Sequence, residues 1–294
     1  MAFDIYQAVT DRILEMLDKG TVPWRHPIHT SGGGRPRNLE SGKHYRGVNV
    51  FLLGLTAWVK GYGSAYWLTF RQAQEQGAYV RKGEKSSMVI FWKQIETIDP
   101  KDLQPKKIPM LRYYNVFNAD QVADLKPPDA PPEPTLLFEP IAEAEKIVAG
   151  YVDGPTIEHG GTQALYRPAE DLVRLPPPDR FLSREFYYAT KFHELVHSTG
   201  HPKRLNRGLE RGKLAPFGSP DYSREELVAE MGAAFLCAVA NTSPPTIEQS
   251  AAYIAGWRRK LSDDSRLIVA AAGAAQRASD YILWQDGSQP ISGS

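Results

Sequence analysis

Apolar residues recur at helical spacing from the start of the chain. Ile5, Val9, Ile13, Met16 and Leu17 share one face of a helix predicted over Phe3 to Lys19 and ended by Gly20. Val48 to Lys60 reads as a second, mostly apolar helix stopped by Gly61, and a short one follows at Phe70–Gln76 with Thr69 as its N-cap. Ser87–Lys93 and Arg112–Phe117 are rich in β-branched and aromatic residues and predict strands. Residues 20–46, rich in Gly, Pro, Arg and His, predict a loop. Past residue 135 the helical period dominates, over Phe138–Gly150, Ser183–Thr199, Arg224–Ala240, Ile247–Leu261 and Asp264–Ile282. Between the first two of these, Gly154–Pro176 predicts short strands, with Ala164–Arg167 and Asp171–Leu175 as candidates.

The fold class is therefore α+β, in two domains. Their boundary falls at Pro127-Pro-Asp-Ala-Pro-Pro-Glu-Pro134, whose prolines forbid helix or central strand and predict a stiff, extended linker over 127–134. Charge changes sign at the same place. Residues 1–126 carry 18 Lys+Arg against 12 Asp+Glu, whereas residues 127–294 carry 17 against 22. A basic half joined to an acidic half suggests two jobs, with a polyanion as partner of the first. The single cysteine, Cys237, excludes intramolecular disulfides and lies in an apolar run that predicts a buried thiol. The N-terminal segment lacks the basic start and apolar block of a signal peptide, and no stretch approaches a membrane span, so a cytoplasmic protein with no membrane contact is expected.

The acidic half carries the chemistry. In His193-Glu194-Leu195-Val196-His197 the two histidines stand at i and i+4, on one face of a helix, and can present both imidazoles to one ion. Glu194 lies about 100° round the helix, where it can hold and deprotonate a water whose pKa zinc lowers. The pentapeptide alone also fits an ordinary amphipathic helix with two surface histidines. Context narrows this: Ser183 is a fitting N-cap, and Gly200 with Pro202 ends the helix just past the second histidine. For the third ligand, Lys203 occupies the place where a metzincin has histidine. A gluzincin draws a glutamate from a following helix, and Glu226 and Glu230 stand at i and i+4 there. Glu226 is assigned as the third ligand and Glu230 to orienting a histidine, with the reverse and Glu225 as alternatives. The expected cofactor is Zn2+, with Mn2+ as the other candidate. Small residues after the pair, Gly232, Ala233 and Ala234, suit close helix packing. Tyr187, Tyr188, His201 and Tyr222 are candidates for stabilising an oxyanion.

The basic half interleaves cations with aromatics. Trp24, Arg25, Arg35, Arg37, Lys43, Tyr45, Arg46, Arg81, Lys82 and Lys85 form the candidate nucleic-acid contacts, because charges track phosphates while rings stack on unpaired bases. No recognition helix, zinc finger or RRM signature is present, which disfavours sequence-specific duplex reading. Gly32-Gly-Gly34 lacks the Lys-Ser/Thr of a phosphate loop.

The chain resembles the ArdC antirestriction family of conjugative plasmids over nearly its whole length. The first half carries Val22-Pro-Trp-Arg25, Tyr45-Arg-Gly-Val-Asn49, Tyr66-Trp-Leu-Thr-Phe70, Gly77 to Gly83 and Tyr114-Asn-Val-Phe-Asn118, similar to the family's single-stranded-DNA-binding domain. The second half carries Tyr188 to His201, Arg204-Leu-Asn-Arg207 and Glu225 to Leu236, similar to its zincin-like domain. The resemblance implies a protein that binds single-stranded DNA without sequence preference and shields incoming plasmid DNA from restriction. Two other readings stay open: a DNA-localised zinc metallopeptidase acting on a protein substrate, and a purely structural zinc, against which the intact Glu194 argues.

Overall fold

The computed structural model describes residues 4–25, 35–98, 105–125, 140–181, 183–209, 220–242 and 251–283. It has the expected α+β architecture. The Asp4 carboxylate accepts from the backbone N–H groups of Tyr6 (3.0 Å) and Gln7 (3.1 Å) and so starts helix α1 (Ile5–Asp18), which buries Val9, Ile13, Met16 and Leu17. A 3-10 turn at Pro23–Arg25 then drives Trp24 into the core. Strand β1 (Arg37–Asn38), helix α2 (Val48–Lys60), strand β2 (Tyr66–Thr69) and helix α3 (Phe70–Glu75) follow. Thr69 and Gln72 form a reciprocal capping box on α3.

Strands β3 (Tyr79–Val80), β4 (Ser87–Ile98), β5 (Pro105–Asn118) and β6 (Val122–Ala123) complete this half. The main sheet has the order β1-β2-β5-β4, with β1 parallel to β2 and the rest antiparallel. β3 pairs β6 separately. β4 and β5 far outrun the strands expected there. β2 pairs only with residues 116–118 of β5, so the eleven pairs from Met88↔Asn115 to Ile98↔Pro105 continue as a two-stranded arm, roughly 35 Å at ~3.3 Å per residue. Asn49 on α2 caps the outer edge of β4, donating to the Ile90 carbonyl (2.7 Å) and accepting from its N–H (2.8 Å).

The second half runs through α4 (Pro140–Gly150), β7 (Thr156–His159), β8 (Leu165–Arg167), β9 (Leu172–Leu175), α5 (Arg184–Ser198), α6 (Pro220–Val239), α7 (Ala251–Asp263) and α8 (Leu267–Leu283). Its sheet has the order β7-β9-β8, β7 parallel and β8 antiparallel to β9. β1, β2, β3 and β6 were not expected, since two to four residues are too few to show a period of two, while β7 falls within the stretch 154–176 read as short strands. The proline-rich 127–134, Gly32–Gly34 and the expected starts at Phe138 and Ile247 lie outside the described residues.

One hydrophobic cluster runs through both halves. Phe51 on α2 stacks on Phe235 on α6 with centroids 5.0 Å apart, and Trp24 meets Trp257 on α7 edge-on at 5.7 Å. Thr10 donates to the Ser265 carbonyl (2.8 Å), and the Gly47 N–H donates to the Gln276 side chain (3.1 Å). Among the described residues no helix is long and apolar enough to cross a membrane.

Candidate metal centre

Ser183 caps α5 through the Phe186 N–H (3.3 Å), and the helix then carries His193 and His197 on one face. α6 lies against it at close range. A Cβ on Gly232 would stand 2.8 Å from both γ-carbons of Val196, so only glycine permits this approach. The contact brings Glu226 over the two histidines.

His193 Nε2 is 3.1 Å from His197 Nε2, and Glu226 oxygens lie 3.7 Å from the first and 3.5 Å from the second. The ligand-type atoms of all three lie within 4.8 Å of one another. Bonds of ~2.0–2.1 Å to a tetrahedral ion put neighbouring donors roughly 3.4 Å apart, so this triangle fits one zinc-sized cation. Electrostatics agree. Burial alone would lower His197, but hydrogen bonding to Glu225 and Glu226 outweighs it and pushes the imidazole up to about 10. Carboxylates that favour a proton there favour a cation in its place.

Glu225 orients His197. Its Oε1 is 3.2 Å from His197 Nδ1, and both its oxygens accept from Arg207, at 2.7 Å from Nη2 and 2.9 Å from Nε. Burial raises this carboxyl, yet the bonds from Arg207 and His197 hold it below its ordinary value. Arg207 is fixed in turn by the Thr199 hydroxyl (2.6 Å) and the Val196 carbonyl (2.9 Å). Glu230 lies one turn further along α6 and accepts from the Tyr253 hydroxyl (3.0 Å).

Glu194 is 7% exposed and faces the same space. Burial raises its carboxyl, opposed by His197, reinforced by Glu226, and opposed again by a hydrogen bond from the Tyr166 backbone in β8. The three carboxylates and two histidines border a cavity of about 890 Å³, whose lining includes Tyr166, Arg207, Arg224 and Arg277. Of the oxyanion candidates, Tyr187 and Tyr188 are buried and bonded to His159 and Glu145, and neither borders the cavity; His201 accepts from the Lys203 N–H. The Tyr222 side chain is outside the described residues. Cys237 is buried as expected, and burial pushes its thiol up to about 11.

Comparison with known proteins decides the family. Residues 3–117 match the N-terminal domain of anti-restriction factor ArdC, and residues 142–274 match a zincin-like metallopeptidase domain. The solved structure of the antirestriction ArdC protein from the R388 plasmid, metal-free, is 42% identical with a TM-score of 0.77, over 95% of this chain and 97% of that one. The chain belongs to the ArdC family. The Mn(II)-bound structure of the same plasmid protein matches at 41% identity and a TM-score of 0.76 over the same shares. The protein y4eC of Sinorhizobium fredii is 38% identical over 95% of this chain and 91% of its own length. DNA primase TraC of Escherichia coli is 36% identical over 95% of this chain, but the chain spans only 27% of TraC.

The residues of the ArdC-like basic half that were candidates for DNA contact divide sharply. Trp24 is 2% exposed and Tyr45 5%; both are core residues, so neither ring can stack on a base. Arg37 lies over the Tyr66 ring at 5.4 Å, Arg46 pairs with Asp280, and Arg81 donates to the Asp120 carbonyl (2.5 Å). Arg35 is partly buried, and burial followed by its neighbour Arg46 holds its guanidinium below its ordinary value. Lys43, Lys82 and Lys85 are exposed; nothing is described of the Arg25 side chain. Exposed rings lie elsewhere: Phe91, Trp92, Tyr113 and Tyr114 group on β4 and β5, with Phe70 on α3 and Tyr79 on β3 apart from them. Their strand pattern was visible in the sequence, their exposure was not. Arg207 carried no periodic signal, because it reaches Glu225 by a loop folded back through the Arg207 N–H to Gly200 carbonyl bond (3.0 Å).

Proposed function

We propose that the protein is a cytoplasmic antirestriction factor that binds single-stranded DNA without sequence preference and shields plasmid DNA entering by conjugation from host restriction. The near full-length match to the R388 antirestriction protein carries this reading. A match of similar length inside a primase supports a DNA-handling role for the shared region, while priming itself belongs to a protein nearly four times as long. In the zincin-like half, His193, His197 and Glu226 would hold a divalent metal, zinc or manganese; the R388 protein was solved with Mn(II). When bound, the ion supplies Lewis acidity toward water and carbonyl groups. Glu225, clamped by Arg207, keeps His197 oriented, and Glu194 takes up a proton at its carboxylate, kept out of bulk water by β8.

A peptidase acting on a protein substrate is the second reading, favoured by Glu194 and by a cavity large enough for several side chains. Glu194→Gln separates the two. If DNA shielding is the function, the variant protects a conjugating plasmid as well as the wild type does. Loss of protection, with metal still bound, assigns the effect to hydrolysis. The full chain is also expected to bind a single-stranded oligonucleotide more tightly than the duplex of the same sequence, with an affinity that falls steeply as salt rises. Equal affinity for both forms contradicts the reading.

A further inference from the structure

The arm formed by β4 and β5 has two unlike faces. Residues directly opposite one another share a face, which places Val89, Phe91 and Lys93 together with Tyr114, Arg112 and Met110. The other face carries Ile90 and Trp92 with Tyr113 and Leu111. At its base that second face turns towards the body of the protein, where Ile90 is 6% exposed and Leu111 packs against the main core, while Trp92, 56% exposed and 6.4 Å from Tyr6 of α1, and Tyr113, 44% exposed, stay open to solvent. The first face differs in carrying cations beside its rings. Beyond Val89, which is fully buried at the base, Phe91 is 43% exposed, Tyr114 48% and Met110 41%, and Lys93 and Arg112 are exposed beside them.

Exposed aromatics in a row need an occupant, because a monomer that leaves such a patch to water gains nothing from it. The Phe91 and Tyr114 rings lie 5.7 Å apart at 66°, and Phe91 also touches buried Tyr45 at 6.1 Å, which braces it from the core side. Arg112 stands directly opposite Phe91, and Lys93 is two residues along the same strand face. The hairpin as a whole is basic, with six Lys or Arg against three Asp or Glu between residues 85 and 114. Rings that offer flat surfaces, alternating with cations along an extended arm, match a polymer with flat bases and one negative charge per unit. A folded protein partner would not ask for that alternation, and duplex DNA would hide its bases from the rings.

We infer that this face of the β4–β5 arm is the platform for single-stranded DNA, with bases stacking on Phe91 and Tyr114 while Arg112 and Lys93 meet the phosphates. The inference rests on the DNA-binding reading above and relocates the contact from the buried Trp24 and Tyr45. Both rings are solvent-facing side chains, so their removal leaves the core intact.

The test uses the full chain and a fluorescent oligo-dT. Phe91→Leu with Tyr114→Leu keeps apolar bulk but removes the rings, and is expected to weaken binding at least about 30-fold, at roughly 5-fold or more per stacked base. Tyr114→Phe keeps the ring and restores wild-type affinity. Arg112→Gln lowers the slope of log affinity against log salt by about 0.7, the value for one phosphate contact on a single strand. A halogenated-uracil oligonucleotide, irradiated, crosslinks to Tyr114 or Phe91. If the wild type binds the oligonucleotide and the double leucine variant binds it equally, the platform is refuted while DNA binding stands. The same result with altered self-association in the variant gives the face to a protein contact instead. If the wild type fails to bind, the DNA-binding reading itself falls.

Discussion

Glu225→Gln tests how the metal centre is held. In the wild type, one carboxylate accepts from His197 Nδ1 and from two nitrogens of Arg207, and both side chains in the Arg207–Glu225 pair are only 14% exposed. Glutamine keeps the shape but loses the charge and one of the two acceptor oxygens. With its oxygen in the place of Oε1 it can still accept from His197 Nδ1 and Arg207 Nη2, but its amide N–H₂ then faces Arg207 Nε, a donor, across the Oε2 position. Hydrogen bonds to charged groups contribute ~1.5–3 kcal/mol each, and a charge left without its buried partner costs ~3–5 kcal/mol in all. Some water reaches the pair, which places the expected loss of stability at about 2–4 kcal/mol. Metal affinity falls as well. Loss of the group that orients a histidine ligand typically costs 10–100-fold, and here the same change also loosens the hold on the imidazole.

The measurements are the dissociation constant for Zn²⁺ by competition with a chromophoric chelator, and thermal unfolding with and without EDTA. Glu230→Gln, one turn further along α6, is the comparison and is expected to change metal affinity less than threefold. A Glu225→Gln protein that binds zinc like the wild type would refute the reasoning, as would a larger loss from Glu230→Gln.

Two further perturbations probe packing. Gly232→Ala gains up to ~1 kcal/mol of helix propensity but places a methyl 2.8 Å from both γ-carbons of Val196, an overpacking that costs ~1–3 kcal/mol, so a net loss of stability is expected. A melting temperature raised by the substitution contradicts this; adding Val196→Ala should recover part of the loss, a coupling read from the double-mutant cycle. A fragment ending at residue 126 uncovers Val9, Ile13, Leu17, Trp24 and Phe51, which pack in one cluster with Phe235 and Trp257. At ~1.5–3 kcal/mol per large side chain it should bind an apolar dye and lack a cooperative melt; a fragment that unfolds as sharply as the full chain counts against the shared core.

What the sequence reveals about the site follows from where side chains leave a periodic signature. α5 was legible because it has a polar face, an N-cap at Ser183 and a stop at Gly200, so the two histidines could be set on one side. α6 offers no such guide. Leu227, Val228, Ala229, Met231, Phe235 and Leu236 are all buried, leaving the helix apolar nearly all round. A pattern without a polar stripe cannot say which face meets α5, and the choice among Glu225, Glu226 and Glu230 needed coordinates. The aromatics failed for a different reason. Trp24 and Tyr45 sit in a Gly-, Pro- and Arg-rich segment whose composition predicts exposure, yet a 3-10 turn and a loop folded onto the sheet bury them. Phe91 and Tyr114 sit in strands, where alternation assigns a face but not which face the protein covers.

The metal centre and the basic half meet on one helix. α8 turns Ala274 and Arg277 to the cavity. On neighbouring positions it presents Gln276 to the Gly47 N–H and Asp280 to Arg46, with Gln276 also donating to Asp280 (3.0 Å). Burial raises the Asp280 carboxyl, and the charge of Arg46 opposes that rise, so the pair is held in a partly dry environment between the two halves. A helix is stiff over two turns, and successive members of this group are no more than three residues apart. A change at Gln276 or Asp280 therefore moves the wall of the cavity as well as the loop that carries Arg46. Loss of DNA binding after a substitution on α8 is consequently no sign of direct DNA contact until metal affinity has been measured on the same variant, and the converse holds for Arg277.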